Sequence, residues 1–192
     1  MPGKIASIEL AMIRLFAALA IPAEIGQGLA FRQQGLAGAR WRPIEAFHVT
    51  LRFFGDVAED VAADIDEALK QVRCRPLDLT LSGVGVFGEG KDAHAVWAGL
   101  VDNADLRGLA KQCETAARRV NLPVDGRRYT PHATLAYLRQ PAIGEVGQWL
   151  AEHSLLRSPV FRVSRFGLYS SRQTSHGSHY RMEREYELEP AT

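Results

Sequence analysis

Two stretches of the sequence decide its fold, HVTLRFFG at residues 48–55 and HATLAYLR at residues 132–139. In both, a histidine stands two residues before a threonine, and leucine, an aromatic and further apolar residues follow. Alternation of polar and apolar residues over such a short segment is typical of a β-strand with one face in the core. Because side chains alternate between the faces of a strand, the histidine and threonine of each copy are predicted to share one face.

The same alternation assigns the neighbouring side chains. Arg52 is predicted on the polar face of the first strand, and Phe53 is predicted to point into the core. The polar faces of the two strands then carry two histidines and two threonines, which are His48, Thr50, His132 and Thr134.

The sequence around the two stretches repeats a common order of elements. Each half is predicted to form a strand, a helix, the histidine-bearing strand, a second helix, for which Asp56 is the expected N-cap in the first half, and a further strand. The approximate repeats cover residues 12–86 and 93–170, and a C-terminal strand follows at 178–188. A unit of about 80 to 90 residues that occurs twice indicates two lobes related by a pseudo-two-fold axis. We therefore predict one domain over residues 1–192, an α+β fold with two mostly antiparallel sheets, helices on the outside and a central cleft.

The composition is that of a globular protein, with 46% hydrophobic and 23% charged residues. A formal net charge of +1 argues against a protein that coats long nucleic acids, although a few local arginines suffice to bind one phosphate. The two cysteines, Cys74 and Cys113, form no C-x-x-C pair, which excludes a zinc knuckle or a disulfide scaffold and favours the cytoplasm. The apolar N-terminal run is interrupted by Glu9, Arg14 and Pro22, so neither a membrane span nor a signal peptide is expected.

Two imidazoles and two hydroxyls on facing surfaces suit displacement at phosphorus. The attacking oxygen must lose a proton and the leaving oxygen, on the opposite side, must gain one. Because the unperturbed pKa of histidine is about 6.5, one copy can be neutral and the other protonated near pH 7. The threonine hydroxyls can donate to the non-bridging oxygens, and such a site needs no metal. A lone His-x-Thr is more often structural, but its repetition with matched flanks favours catalysis.

The likeness of the sequence to a known family extends beyond the two motifs. It runs through nearly the whole chain, in the segments RLFAALAIPAEI, HVTLRFFGDV, GVGVFG, AVWAGL, YTPHATLAYL and FGLYSS. On these residues the sequence resembles the 2H phosphoesterases, and within them the bacterial and archaeal RNA 2′,3′-cyclic phosphodiesterases, also called 2′-5′ RNA ligases. The resemblance implies a bilobal α+β fold and a cytoplasmic, metal-independent enzyme without a cofactor. It also implies that the catalytic residues are His48, Thr50, His132 and Thr134.

The reaction implied by this resemblance is hydrolysis of a terminal 2′,3′-cyclic phosphate to a 2′-phosphate. The expected partners are RNA ends or nucleotides that carry this group, bound by a monomer away from any membrane. By analogy with the family, His48 is the acid and His132 the base, although the spacing alone does not assign these roles. Two alternatives stay open, a 2′-5′ RNA ligase that acts on tRNA halves and a non-catalytic module that binds RNA ends.

One position departs from the family pattern. Members often write the second motif as His-x-Thr-Leu-x-Arg, with the arginine on the phosphate, whereas this sequence has Tyr137 there. Either another arginine substitutes or the phosphate is bound less tightly, and the candidates are Arg52, Arg127, Arg128 and Arg139. Trp41, between two arginines, is predicted either to stack on a base near the cleft or to be an ordinary structural aromatic.

Overall fold

A computed structural model gives the fold for residues 12–139, 141–174 and 177–189. The strands are β1 (Ile13–Ala20), β2 (Arg40–Trp41), β3 (His48–Val57), β4 (Leu77–Leu79), β5 (Leu81–Phe87), β6 (Ala95–Leu100), β7 (His132–Tyr137), β8 (Phe161–Val163), β9 (Arg165–Thr174) and β10 (Gly177–Glu187). The helices are α1 (Ala23–Ala30), α2 (Glu59–Leu69), α3 (Ala104–Arg119) and α4 (Ile143–His153).

Eight of the strands form one antiparallel sheet. Its order is β10-β9-β1-β3-β7-β6-β5, with β2 paired to β7. The strands β4 and β8 form a second, two-stranded antiparallel sheet. The predicted α+β class with antiparallel sheets is therefore confirmed. The two sheets are unequal, because β3 and β7 pair at the centre and join both halves of the chain in the large sheet.

The order of the strands mirrors itself about the junction between β3 and β7. Next to β3 lie β1 and then β9, and next to β7 lie β6 and then β5. The last long strand of each predicted half, β5 or β9, thus lies beside the first strand of the other half. Neither half can complete its side of the sheet alone, so the two repeats are folded into one another rather than standing as separate units.

The core lies between one face of the large sheet and the helices. Buried side chains from the sheet and from all four helices form a single hydrophobic cluster. From β1 it receives Leu15, Ala17 and Leu19, which are at most 2% exposed. The longest helix, α3, begins after Asn103, whose side chain accepts a hydrogen bond from the Leu106 N–H at 2.9 Å. This N-cap fixes the start of the helix, and the opposite face of the sheet is left for the candidate site.

The predicted N-cap of α2 is wrong. The strand β3 continues past Gly55, which has a φ of +84°, because Asp56 lies opposite Arg14 of β1 and forms a 3.6 Å ion pair with it. The helix begins at Glu59, with Ala58 in the N-cap position.

The structure also bears on the expectations for membrane spans and for the two cysteines. The part of the chain that the structure describes contains no helix with the length and apolar character of a membrane span. Cys74 and Cys113 are both free thiols, and Cys113 is buried.

Candidate active site

The two histidine strands meet near their first residues. Val49 lies opposite Ala133 in the antiparallel pair, and both side chains belong to the core, with 1% and 0% exposure. Because neighbouring side chains in a strand point to the opposite face, the residues on either side of this pair face away from the helices. That face carries the half-buried His48, Thr50, His132 and Thr134.

The register of this pair gives each histidine a threonine from the other strand. One residue either way from the Val49–Ala133 pair, the antiparallel register sets His48 beside Thr134 and Thr50 beside His132. Standard sheet spacing then separates the Cα atoms of the two histidines by about 8 Å along the diagonal. The four motif side chains therefore surround one patch of the sheet.

A β-bulge follows the threonine of each motif and changes which side chains share its face. In β3, Thr50 lies opposite Ala18 and Arg52 lies opposite the core residue Ala17, which leaves Leu51 without a partner. In β7, Leu135 is the extra residue at the equivalent place. The extra residue breaks the alternation of faces, so the side chains directly after it lie on the face opposite to the one that strict alternation gives. In β3 a second extra residue, Phe54, restores the original alternation from Gly55 onward.

This bulge overturns two predictions for β3. Arg52 lies on the core side of the sheet, where its Nε donates to the carboxylate of Glu114 on α3 and its Nη2 donates to the Pro123 carbonyl at 2.5 Å. Phe53 lies on the site face, where it is 44% exposed and its ring centroid is 5.6 Å from that of Phe16. Arg52 is therefore part of the link between β3 and α3, and Phe53 is an exposed wall of the site.

Matching hydrogen bonds orient the two imidazoles. The Nδ1 of His48 lies 2.8 Å from the Ala46 carbonyl oxygen, and the Nδ1 of His132 lies 2.7 Å from the Thr130 carbonyl oxygen. A carbonyl can only accept, so each Nδ1 carries a proton and donates it. The Nε2 of each neutral ring is then the free acceptor, available to take or, once protonated, to give a proton.

Aromatic side chains surround both rings. The ring centroid of the first histidine lies 5.1 Å from those of Phe16 and Tyr180. The ring centroid of the second histidine lies 6.0 Å from that of Trp97 and 4.7 Å from that of Phe87. Gly85 makes room for this wall, because a Cβ at that position would lie 2.2 Å from the Trp97 ring. These walls exclude water from much of each imidazole.

The exclusion of water lowers the pKa of both histidines. Burial is the main cause that lowers the pKa of His48 to about 4, against a raising effect of its backbone hydrogen bond. The positive charges of Arg42 and of His132 lower this pKa further. Burial also lowers the pKa of His132. Both imidazoles are thus neutral near pH 7 in the substrate-free protein.

A cavity of about 460 Å³ opens beside Thr50 and His132. Its cationic lining consists of Arg52, Arg107, Lys111, Arg127 and Arg128. Three of these are paired with carboxylates, Arg52 with Glu114, Arg107 with Asp102, and Arg127 with Asp125. Among the described residues, Lys111 and Arg128 have no carboxylate partner, so these two cations are available to a ligand.

The remaining predicted binding residues have different surroundings. Trp41 lies against the core, and its ring centroid is 6.1 Å from that of Trp149. Of the two roles predicted for Trp41, this position fits the structural one. Tyr137 is half-buried on the site face, because the bulge at Leu135 returns it there. Arg139 is exposed just after the end of β7.

Arg42 and Tyr180 are among the residues near the site that were not predicted from the sequence. Arg42 is 8% exposed, and its guanidinium carbon lies 4.8 Å from the centroid of the Tyr180 ring. Because neighbouring side chains in a strand alternate, Arg42 would be expected on the face opposite to Trp41. However, β2 has only two residues, and its pairing with β7 cannot be recognised from the local sequence. No local pattern in the sequence indicates that β10, which pairs beside β9 in the sheet, brings Tyr180 to His48.

Nowhere in residues 12–139, 141–174 and 177–189 do three or more histidine, cysteine, aspartate or glutamate side chains form a group that could hold a metal ion.

Comparison with known proteins gives a consistent set of relatives. A sequence model of the 2′-5′ RNA ligase superfamily matches residues 31–174. A protein of Aeropyrum pernix named RNA 2′,3′-cyclic phosphodiesterase is 34% identical over 96 residues, which are 50% of this chain and 54% of that protein. A protein of the same name from Aquifex aeolicus is 26% identical over 153 residues, which are 78% of this chain and 81% of that protein. The matched segment thus spans about half the length of the first relative and most of the second.

Solved structures show the same fold. The structure of E. coli LigT complexed with 3′-AMP aligns with a TM-score of 0.75 and 23% sequence identity, over 93% of this chain and 99% of LigT. At this level of identity, the likeness shows that the two chains share their architecture.

Proposed function

This chain belongs to the 2′-5′ RNA ligase superfamily, and from that membership we propose that it hydrolyses a terminal 2′,3′-cyclic phosphate on RNA to a 2′-phosphate. His48, Thr50, His132 and Thr134 carry the reaction. The relatives named RNA 2′,3′-cyclic phosphodiesterase support this choice of substrate.

One observation carries the proposal: the two imidazoles are held by equivalent hydrogen bonds. Each Nδ1 donates to the carbonyl two residues earlier, at 2.8 Å for His48 and 2.7 Å for His132. Two half-buried histidines of the same tautomer lie on one patch of the sheet, each beside a threonine of the other strand, and core packing does not require this arrangement. They match the need of an in-line displacement for one proton acceptor and one proton donor.

The proposed reaction is direct attack by water on phosphorus. One neutral imidazole removes a proton from the water through its Nε2, and the water oxygen forms a bond to phosphorus while the bond to O3′ breaks. The second imidazole, protonated in the complex, gives its Nε2 proton to O3′. The hydroxyls of Thr50 and Thr134 donate to the non-bridging oxygens as negative charge grows there. By resemblance, His48 is the acid and His132 the base.

The cavity beside Thr50 and His132 supports binding of the terminal nucleotides. Lys111 and Arg128 can pair with backbone phosphates, and Phe87 offers an aromatic surface for a base. With a net charge of +1, the protein is suited to a short strand end rather than to long RNA.

The proposed enzyme is a monomer and acts in the cytoplasm. All four motif residues come from one chain, which supports catalysis without a second copy. The free thiols of Cys74 and Cys113 support a reducing compartment.

Product analysis with a 2′,3′-cyclic nucleotide and a cyclic-ended oligonucleotide tests this proposal. We expect a 2′-phosphate product at a rate that EDTA leaves unchanged. His48→Ala and His132→Ala should each reduce the rate by roughly 10²–10⁴-fold. His153→Ala is the control, because this histidine ends α4 and its ring packs against the core residue Trp149, away from the site face. Full activity in either motif variant would remove the basis of the assignment.

The same assay separates the alternatives. Incubation with tRNA halves that carry cyclic phosphate ends distinguishes joined products from opened ones. Tight binding of a 2′-phosphorylated nucleotide without turnover of a cyclic one would favour a binding module instead.

A further inference from the structure

A buried arginine lies beside the first motif histidine. Arg42 is only 8% exposed. Its guanidinium carbon lies 4.8 Å from the centroid of the Tyr180 ring and 5.9 Å from that of the Tyr137 ring. The Tyr180 ring in turn meets His48 edge to face, with centroids 5.1 Å apart. The positive charge of Arg42 is close enough to lower the pKa of His48.

Arg42 has no counter-ion within the described part of the chain. Its two terminal nitrogens donate to the same acceptor, the Ser178 carbonyl oxygen, at 3.4 Å each. Every ion pair among the described residues involves other cations. A guanidinium has five N–H donors and always carries its charge, so burial without a carboxylate is costly unless an anion binds there.

The backbone holds Arg42 firmly in place. Its N–H donates to the Leu135 carbonyl at 2.8 Å, and its carbonyl accepts from the side-chain amide of Gln33 at 2.5 Å. The strand β2 also pairs with β7, where Arg40 lies opposite Tyr137. Because Trp41 faces the core, Arg42 points to the site face, where the two tyrosine rings orient its guanidinium.

The other arginines near the site are less suited to a phosphate between the histidines. Arg52 is bound to Glu114 on the core side of the sheet, and Arg127 is paired with Asp125 at 2.8 Å. Arg128 and Arg139 are exposed. Arg42 alone among these is both buried and without a carboxylate partner in the described structure.

We propose that Arg42 binds the phosphate of the substrate on the His48 side of the site, where its N–H groups donate to a non-bridging oxygen. From the position directly after β2, it supplies the guanidinium that the second motif lacks at Tyr137, and Tyr137 and Tyr180 hold its plane. This assignment rests on the proposed function, since the anion is the cyclic phosphate.

Substitution of Arg42 tests the assignment through binding, turnover and protonation together. Arg42→Met should reduce kcat/KM for a 2′,3′-cyclic nucleotide by about 10²-fold, as loss of one donor to developing charge does. It should also weaken the binding of inorganic phosphate and of a nucleoside 2′-phosphate, measured by calorimetry. The kcat/KM and phosphate affinity of Arg42→Lys should lie between those of the wild-type protein and of Arg42→Met, because an ammonium keeps the charge but lacks the planar fork of donors.

Two controls separate binding from folding. Arg162→Met removes a charge from the β4–β8 sheet, where Arg162 pairs with Asp78 at 3.2 Å, and should leave all three measurements unchanged. Nuclear magnetic resonance titration should show a higher pKa for His48 in Arg42→Met, since the charge that opposes its protonation is gone. If Arg42→Met does not fold, the same measurements on Arg42→Lys decide the question.

The outcomes distinguish this assignment from the proposed function. Parental phosphate affinity and parental kcat/KM in Arg42→Met would overturn the role of Arg42 and leave the reaction intact. A wild-type protein that never turns over cyclic phosphates would overturn the reaction. In that case, loss of phosphate binding in Arg42→Met would still support Arg42 as an anion-binding residue.

Discussion

The pH dependence of kcat/KM tests the two-histidine site most directly, because the imidazoles are perturbed before any substrate binds. Burial lowers the pKa of His48 to about 4, so that roughly one molecule in a thousand has this ring protonated at pH 7. The pKa of His132 also lies below its ordinary value of 6.5. The reaction needs one neutral and one protonated ring, so kcat/KM should be greatest between the two pKa values, at a pH below about 6.5.

The sign of the effect follows from the protonation states. Above both pKa values the two rings are neutral and no proton donor is present, so kcat/KM should fall about tenfold per pH unit above pH 6.5. A bound cyclic phosphate is an anion and raises the pKa of both rings. The alkaline limb of kcat should therefore lie at higher pH than that of kcat/KM.

Initial rates at constant ionic strength from about pH 4.5 to about pH 8.5 provide the measurement. Titration of the histidine ring protons by nuclear magnetic resonance, without substrate, gives the two pKa values independently. A kcat/KM that stays constant or rises between about pH 6.5 and pH 8.5 would contradict the reasoning, because at least one ring would then not act through its proton.

Three further substitutions separate catalytic side chains from structural ones. Thr50→Val and Thr134→Val keep the shape of the side chain and remove the hydroxyl, so each should reduce kcat by on the order of 10²-fold with unchanged thermal unfolding; parental kcat in both would eliminate the proposed role of the hydroxyls. Arg52→Met leaves Glu114, which is 22% exposed, without its cation, and should lower the free energy of unfolding by ~1–3 kcal/mol in denaturant titrations while kcat stays unchanged. A raised KM at parental stability would instead return Arg52 to the substrate site.

The parts of the site that follow a local rule could be predicted from the sequence. The period of two in a strand was enough to set His48 and Thr50 on one face, and the second copy made them more than an isolated pair. The aromatic rings of Phe16 and Trp97, whose centroids lie 5.1 Å and 6.0 Å from those of the two histidines, were not part of that prediction.

The parts of the site that depend on pairing between strands could not be predicted from the sequence. A bulge depends on how two strands pair, so the extra residue at Leu51 could not be predicted from one segment of sequence. Because of it, Arg52 and Phe53 lie on the faces opposite to those predicted. Asp56 has the residue type of an N-cap, but the backbone of β3 stays paired with β1 there, with Asp56 opposite Arg14 and the buried Val57 opposite Ile13. The exchange of β5 and β9 between the halves is likewise a matter of long-range order that no local pattern encodes.

In the proposed reaction the two equivalent imidazoles perform opposite tasks, and the surroundings of His48 differ from those of His132. The edge strand β10 follows β9 on that side of the sheet and brings Tyr180 to within 5.1 Å of His48, whereas β5 ends the described sheet on the other side. Arg42 adds a positive charge that lowers the pKa of His48 in the free protein. A phosphate anion bound to Arg42 would cancel that charge, so the contact that binds the substrate would also favour a proton on His48. The acid role that the family resemblance gives to His48 would then be a property of the complex, consistent with its low pKa when the site is empty.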